Sequence, residues 1–218
     1  LQIGNHYAVI GDGAPAEIDV CGRPDESKWI CWRGTKAEFG AAGDHLYINA
    51  AGNQHQSPSV PSNRMEYGIL WSRFPVEGDF DATVRIAYEG YTTPYARHGI
   101  VVKNSLEKPW DDVSGLLYAG AMSSRGFCNK VYTRQIDPDT LSGSPEGPEA
   151  PYWIKIEKRG SHFDCYYSMD EAATWVRQGG YTYDDAAHAQ YVGLFVNSCV
   201  PDLRLVKFTD FNITMVRV

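Results

Sequence analysis

The residues that could move protons, hold metals or attack carbonyl carbons are scattered along this chain, and their spacing argues against the common hydrolytic mechanisms. Glycoside hydrolysis needs two carboxylates at a controlled separation, and no E-x-D-x-x-E run occurs. The acidic pairs Asp111-Asp112 and Asp184-Asp185 stand in turn-like contexts, where solvated loop charge accounts for them. The six His are single, without H-E-x-x-H or any paired spacing suited to a metal. No G-x-S-x-G exposes a serine nucleophile. The five Cys include no C-x-x-C pair, so neither a zinc site nor a thioredoxin-like centre is expected.

What remains is a set of cations interleaved with aromatic rings. If Ile100 and Val102 face a core, period-two alternation turns Arg97, Gly99, Val101 and Lys103 the other way. The same rule sets Lys130, Tyr132 and Arg134 opposite Asn129, Val131 and Thr133. Two readings stay open: a solvated outer face, or a cleft in which a ring stacks on the ligand while Arg and Lys hold its oxygen atoms. Trp71 and Tyr118 are candidates to join that cleft, although Trp71 fits a core position equally well. Long cations are costly to order, so ligand contact is expected to depend on this face rather than on an acidic pair.

Such side chains need strands to hold them. In residues 79–88, Phe80, Ala82, Val84, Ile86 and Tyr88 share one face while Asp81, Thr83 and Arg85 take the other, the pattern of a strand with one core face. Similar runs follow at 99–103, 114–119, 127–134, 152–158, 162–168, 191–197 and 203–218, punctuated by turns such as Glu89-Gly90, Arg159-Gly160 and Pro201-Asp202. Residues 107–112 and 184–190 have room for one helical turn each, too short for a stable amphipathic helix. The rhythm predicts an all-β chain folded as an antiparallel two-sheet β-sandwich. Residues 136–151 carry four Pro and two Gly and read as a long surface loop. Because the strand rhythm resumes after it, residues 1–218 are read as a single domain.

Composition sets the remaining bounds. Hydrophobic residues at 43% and charged residues at 22% suffice for a core. The formal net charge of −7 opposes binding to phosphate backbones, so no nucleic acid partner is expected. No stretch reaches the roughly 20 apolar residues that cross a bilayer, so no membrane partner is expected either. The start at Leu1, without Met or an apolar signal core, is read as a removed leader or a trimmed chain. Asn212-Ile213-Thr214 is a glycosylation sequon, in keeping with a secreted protein or one of the secretory pathway. Cys21 and Cys31 are expected to form a disulfide across a short loop, while Cys128, Cys165 and Cys199 lie in apolar runs as buried thiols. Oligomeric state is not legible.

Several motifs point further. Gly78-Asp79-Phe80 opens a strand, and Tyr95-Ala96-Arg97-His98-Gly99-Ile100-Val101-Val102-Lys103-Asn104-Ser105-Leu106 parallels an AGLMIRESL-like strand and turn. Tyr152-Trp153-Ile154-Lys155-Ile156, Tyr166-Tyr167-Ser168-Met169-Asp170 before Trp175, Tyr191-Val192-Gly193-Leu194-Phe195 and Phe208-Thr209-Asp210-Phe211-Asn212-Ile213 follow in order. From Gly78 onward the chain resembles the concanavalin-like jelly-roll modules of the DUF1349 and β-xylosidase C-terminal type. Residues 1–70 match loosely, and His98, Ile100 and the acidic loop depart from the pattern. Residues 168–175 also resemble an Asp box, S-x-D-x-G-x-T-W, with Ala172 in place of Gly, and are read chiefly as a turn-stabilising motif.

The resemblance implies a ligand on the curved sheet and a structural calcium at the sandwich edge, with Asp210 the first candidate ligand among hard oxygen donors. No other cofactor is expected. Two functions fit. One is carbohydrate binding without hydrolysis, with a glycan as partner. The other is a pericyclase of the hetero-Diels–Alderase type in natural-product biosynthesis, resembling freestanding fungal jelly rolls and holding a small hydrophobic molecule in a near-attack arrangement.

Overall fold

The computed structural model describes residues 23–52, 66–107, 116–122, 126–132, 140–141 and 148–216, and every regular element in them is a strand. In chain order these are β1 (Trp29–Arg33), β2 (Ala37–Ala42), β3 (His45–Ala50), β4 (Gly68–Ser72), β5 (Val76–Glu77), β6 (Asp79–Glu89), β7 (Arg97–Lys103) and β8 (Leu116–Met122). They continue with β9 (Gly126–Tyr132), β10 (Thr140–Leu141), β11 (Tyr152–Arg159), β12 (His162–Ser168), β13 (Val176–Thr182), β14 (Ala189–Asn197) and β15 (Arg204–Val216). All pair antiparallel into two sheets. The eight-stranded sheet runs β1-β4-β14-β7-β8-β9-β10 with β5 beside β14, and the seven-stranded sheet runs β13-β12-β11-β6-β15-β3-β2.

The alternation in β6 shows why the layers form. Phe80, Ala82, Val84 and Ile86 are fully buried, and the residues between them are half-exposed, so each sheet turns one apolar face inward. The facing sets meet in one core that includes Ile100, Val102, Leu194 and Val196 from the eight-stranded sheet and Ile154, Ile156 and Phe208 from the other. Aromatic contacts bridge the layers: Phe127 stacks on Tyr167 at 3.9 Å between centroids and meets the Tyr152 ring edge-on at 5.2 Å. The antiparallel sandwich expected from the strand rhythm is thus the observed architecture.

The loosely matched N-terminal part is woven into both layers. β4 pairs with β14, and β3 pairs with β15. Residues 184–190 form no helical turn: a turn at 184–185 leads into β14, where Ala189 and Gln190 pair with Glu77 and Val76. Sheet hydrogen bonding there outweighs the weak helical preference of a few residues. Of the 107–112 segment only Glu107 is described. The 136–151 segment contributes β10, which pairs with β9, and the 148–151 stretch that enters β11.

Candidate functional site

Part of the sequence-predicted face lies on the side of the eight-stranded sheet that turns away from the inter-sheet core. Trp71, Val101 and Tyr118 join Tyr67, Phe195 and Cys128 in a second apolar cluster there. Strand register explains the gathering. Trp71 stands opposite Gly193, Gly193 opposite Val101, Val101 opposite Tyr118, and Tyr118 opposite Lys130. Gly193 makes the row possible, because a Cβ there would lie 2.6 Å from the Leu70 carbonyl oxygen and 2.9 Å from Trp71 Cε3. The Tyr118 and Phe195 rings are 5.0 Å apart.

These residues are buried rather than ranged along an open groove: Trp71 and Tyr118 are 1% exposed, Lys103 3% and Arg97 4%. Arg97 Nη1 donates to Cys199 Sγ at 3.2 Å. Trp71 Nε1 is buried without a hydrogen-bond partner. Lys130 and Tyr132 are described by their backbone, in register with Tyr118 and Leu116, and Arg134 lies outside the described residues. So do Asp111, Asp112 and Cys21. Cys31 is a free thiol, half-buried against the inter-sheet core, so the disulfide expected between it and Cys21 is not formed, while Cys128, Cys165 and Cys199 are free and buried.

An open aromatic and charged surface exists on the outer face of the seven-stranded sheet, which sequence reasoning did not single out. On β11 the core residues Ile154 and Ile156 alternate with Trp153, Lys155 and Glu157, which are half-buried and face outward. Lys155 pairs in register with Tyr166 of β12. Its Nζ sits 4.4 Å from the Tyr166 ring centre and 4.6 Å from that of Trp175, and 2.6 Å from Glu157 Oε1. The Tyr166 hydroxyl donates to Glu157 Oε2 at 3.2 Å. Burial, then the neighbouring Glu157 charge, holds that phenol above its ordinary pKa. The alternation of 152–158 was a signal that could have located this face.

The Asp-box hairpin is fastened to the same surface. Ser168 Oγ donates to Asp170 Oδ1 at 2.6 Å, and Asp170 Oδ1 accepts the Thr174 amide at 2.9 Å. Bonds from Ser168 and Thr174 lower the Asp170 carboxyl to about 2. Glu171, at the turn, receives a bidentate pair from Arg85, Nη2 at 2.9 Å and Nε at 3.1 Å, and the Trp153 indole at 3.4 Å. Arg85 holds Glu171 below the usual carboxylate range. The turn-making reading of the motif therefore matches its geometry. Rings of Trp153, Tyr166 and Trp175 end up beside four charged groups on an open face.

Carboxylates also line up on this face. Asp81, Glu157 and Asp164 are register neighbours across β6, β11 and β12. Each is tied to its own cation: Asp81 to Arg159 at 2.7 Å, Glu157 to Lys155 at 2.6 Å, Asp164 to Arg177 at 2.7 Å.

A buried polar network closes one end of the core. Tyr152 donates its hydroxyl proton to Glu89 Oε1 at 3.0 Å, and Arg204 pairs with Glu89 and donates from Nε to the Gly90 carbonyl at 2.6 Å. His98 Nε2 lies 2.5 Å from the Tyr152 oxygen. With the tyrosine proton given to Glu89, His98 donates from Nε2, leaving Nδ1 as an acceptor that is buried and unpartnered. Burial, followed by the Arg204 charge, holds His98 well below its ordinary pKa, and burial, followed by Glu89, holds Tyr152 well above its own. Tyr152, His98 and Arg204 are buried and Glu89 is partly exposed, so the network closes this end of the core.

Asp210 is exposed and has φ 53°, between the Thr209 and Asn212 positions where β15 shifts register against β6. Among the described residues no group of three or more His, Cys, Asp or Glu is placed to share a metal ion.

No protein-family model matches the chain, and no curated protein matches its sequence. Solved structures do match in shape. A functionally unknown protein from Saccharomyces cerevisiae is 14% identical with a TM-score of 0.68, over 89% of this chain and all 100% of that one. A structure from work on endo-acting O-glycanases of human gut microbiota members that initiate mucin breakdown is 10% identical, with a TM-score of 0.61 over 92% and 97% of the two chains. A carbohydrate-binding module from Bacillus subtilis is 14% identical, with a TM-score of 0.53 over 86% and 96%. At these identities the shared property is the fold: this chain is a concanavalin-like jelly-roll β-sandwich.

Proposed function

We propose that this chain binds glycans without hydrolysing them. The observation that carries the reading is the outer face of the seven-stranded sheet, where Trp153, Tyr166 and Trp175 lie beside Arg85, Lys155, Glu157 and Glu171. Sugar rings present axial C–H groups to aromatic faces and hydroxyls to planar, paired charges, and this surface offers both. The carbohydrate-binding module and the glycanase-related structure of the same fold support the reading by analogy. The ion pairs that occupy Asp81, Glu157 and Asp164 support a binding face rather than a hydrolytic one. Secretion accords with it, since Asn212 of the sequon is exposed on β15.

A second location for the ligand is favoured by one observation. Trp71 Nε1 is buried without an acceptor, and an orphaned donor is costly unless something fills it. Arg97, Lys103, Tyr118, Lys130, Tyr132 and Arg134 would then complete a covered site on the eight-stranded sheet. The pericyclase alternative needs an enclosed apolar pocket around a small hydrophobic molecule, and neither the open charged face nor the shared fold lends it support.

A glycan array probed with the labelled protein tests the reading, with product analysis of each bound glycan. Retention of at least one glycan class with no new reducing ends is the expected result. Release of cleaved product, or no retention of any glycan, overturns it.

A further inference from the structure

We propose that the open end of the sandwich opposite the Glu89–Arg204 network is a second binding pocket, one that takes a small carboxylate ligand on Lys158. The proposal is independent of the glycan-binding face and does not need it. The pocket, of about 440 Å³, is lined by Lys158, Asp79, His188, Gly78, Gly160 and Val216, among others. That size falls within the roughly 300–1,000 Å³ of small-molecule sites. It opens where β6 begins, β15 ends and β11 turns into β12.

Lys158 is the reason to expect an anion. It follows Ile154 and Ile156 on the core face of β11 and is 2% exposed. Its Nζ donates to the Gly78 carbonyl at 3.0 Å. An ammonium has three N–H donors and a full charge, yet among the described residues no carboxylate lies within ion-pair reach of it. The contrast with Arg204 at the other end of the core is direct, because that buried cation is paired with Glu89. Burial pulls the Lys158 pKa down, and Asp79 partly offsets the effect from a distance. A buried charge held by one carbonyl is unfavourable until a counter-charge arrives.

The rest of the pocket suits such a guest. Asp79 is occupied on its own account, since Oδ1 accepts the Gly160 amide at 2.7 Å and closes the corner. Gly160 has φ 58° with nothing within 4 Å of a Cβ position, so the rim there stays low. His188 adds an imidazole and Val216 an apolar side chain to the same lining. A six-carbon carboxylate of uronate type would place its charge on Lys158 and its ring in the mouth.

Titration calorimetry with sodium D-glucuronate and with D-glucose tests this on the wild type and on Lys158→Met, Asp79→Asn and Trp153→Ala. Glucuronate is expected to bind, with glucose at least roughly tenfold weaker, and Lys158→Met is expected to lose at least about tenfold, as for a charge-assisted hydrogen bond. Asp79→Asn should tighten binding by removing a repelling charge, and Trp153→Ala should leave it unchanged. Lys158→Met keeps the stem packed, and its circular dichroism spectrum reports the fold. Equal binding of glucose, unchanged affinity in Lys158→Met, loss in Trp153→Ala alone, or no binding of glucuronate at millimolar concentration each overturns the proposal.

Discussion

Lys155 Nζ lies 4.6 Å from the centre of the Trp175 ring and so ties the strand β11 to the hairpin beyond β12. The same ammonium covers Tyr166 and meets Glu157. Replacing it with Met keeps the aliphatic stem and removes the charge. Cation–π contacts at half-exposed sites contribute about 0.5–1 kcal/mol each. Lys155→Met is expected to lose about 1 kcal/mol in urea unfolding and to shift Trp emission as Trp175 loosens. Unchanged stability and emission would mean that the contact is incidental.

Ala172 sits at φ 63°, inside the Asp-box turn, where glycine is usual. The left-handed region costs an alanine about 1–2 kcal/mol, part of which a glycine returns through its freer unfolded chain. Ala172→Gly should therefore raise stability by roughly 0.5–1 kcal/mol, read as a higher urea midpoint. A lowered midpoint would show that the turn draws on the alanine methyl.

His98 gives the fold a defined acid sensitivity. Its pKa is depressed in the folded state, so below the ordinary value of about 6.5 the unfolded chain takes up a proton that the folded chain refuses. Stability is full above that value and falls as pH drops through it, by up to about 1.4 kcal/mol per pH unit. Protonation at Nδ1 would place a second cation near Arg204 with no acceptor facing it, since Tyr152 and Glu89 already serve the Nε2 side. His98→Gln, which keeps a donor toward Tyr152, is expected to flatten the profile between pH 6.5 and 5 in thermal melts. A wild type whose melting temperature is constant over that range would contradict the assignment.

Much of the architecture was legible because strand alternation survives in single stretches. β6, β11 and β12 carry apolar residues at every second position. Elements such as β2 (AEFGAA) and β13 (VRQGGYT) were missed, since neither alternates cleanly and both lie at sheet edges where one neighbour sets the pairing. Trp71, Val101 and Tyr118 lie on the far side of the eight-stranded sheet, and their burial was not foreseeable. Alternation says which way Trp71 and Arg97 point and cannot say what lies above them. The Lys158 end was hidden for a different reason: Gly78, Gly160 and His188 come together only through three separate turns.

Glycan binding at the open face is tested by the affinity of one array-selected glycan for Trp153→Ala and Lys130→Ala proteins beside the wild type. Loss of a stacking ring costs about 1–3 kcal/mol, as for aromatic anchors in other interfaces, so Trp153→Ala should weaken binding by at least roughly tenfold while Lys130→Ala binds as the wild type does. Full affinity in Trp153→Ala, with loss in Lys130→Ala, would contradict the account and move the site to the covered face around Trp71.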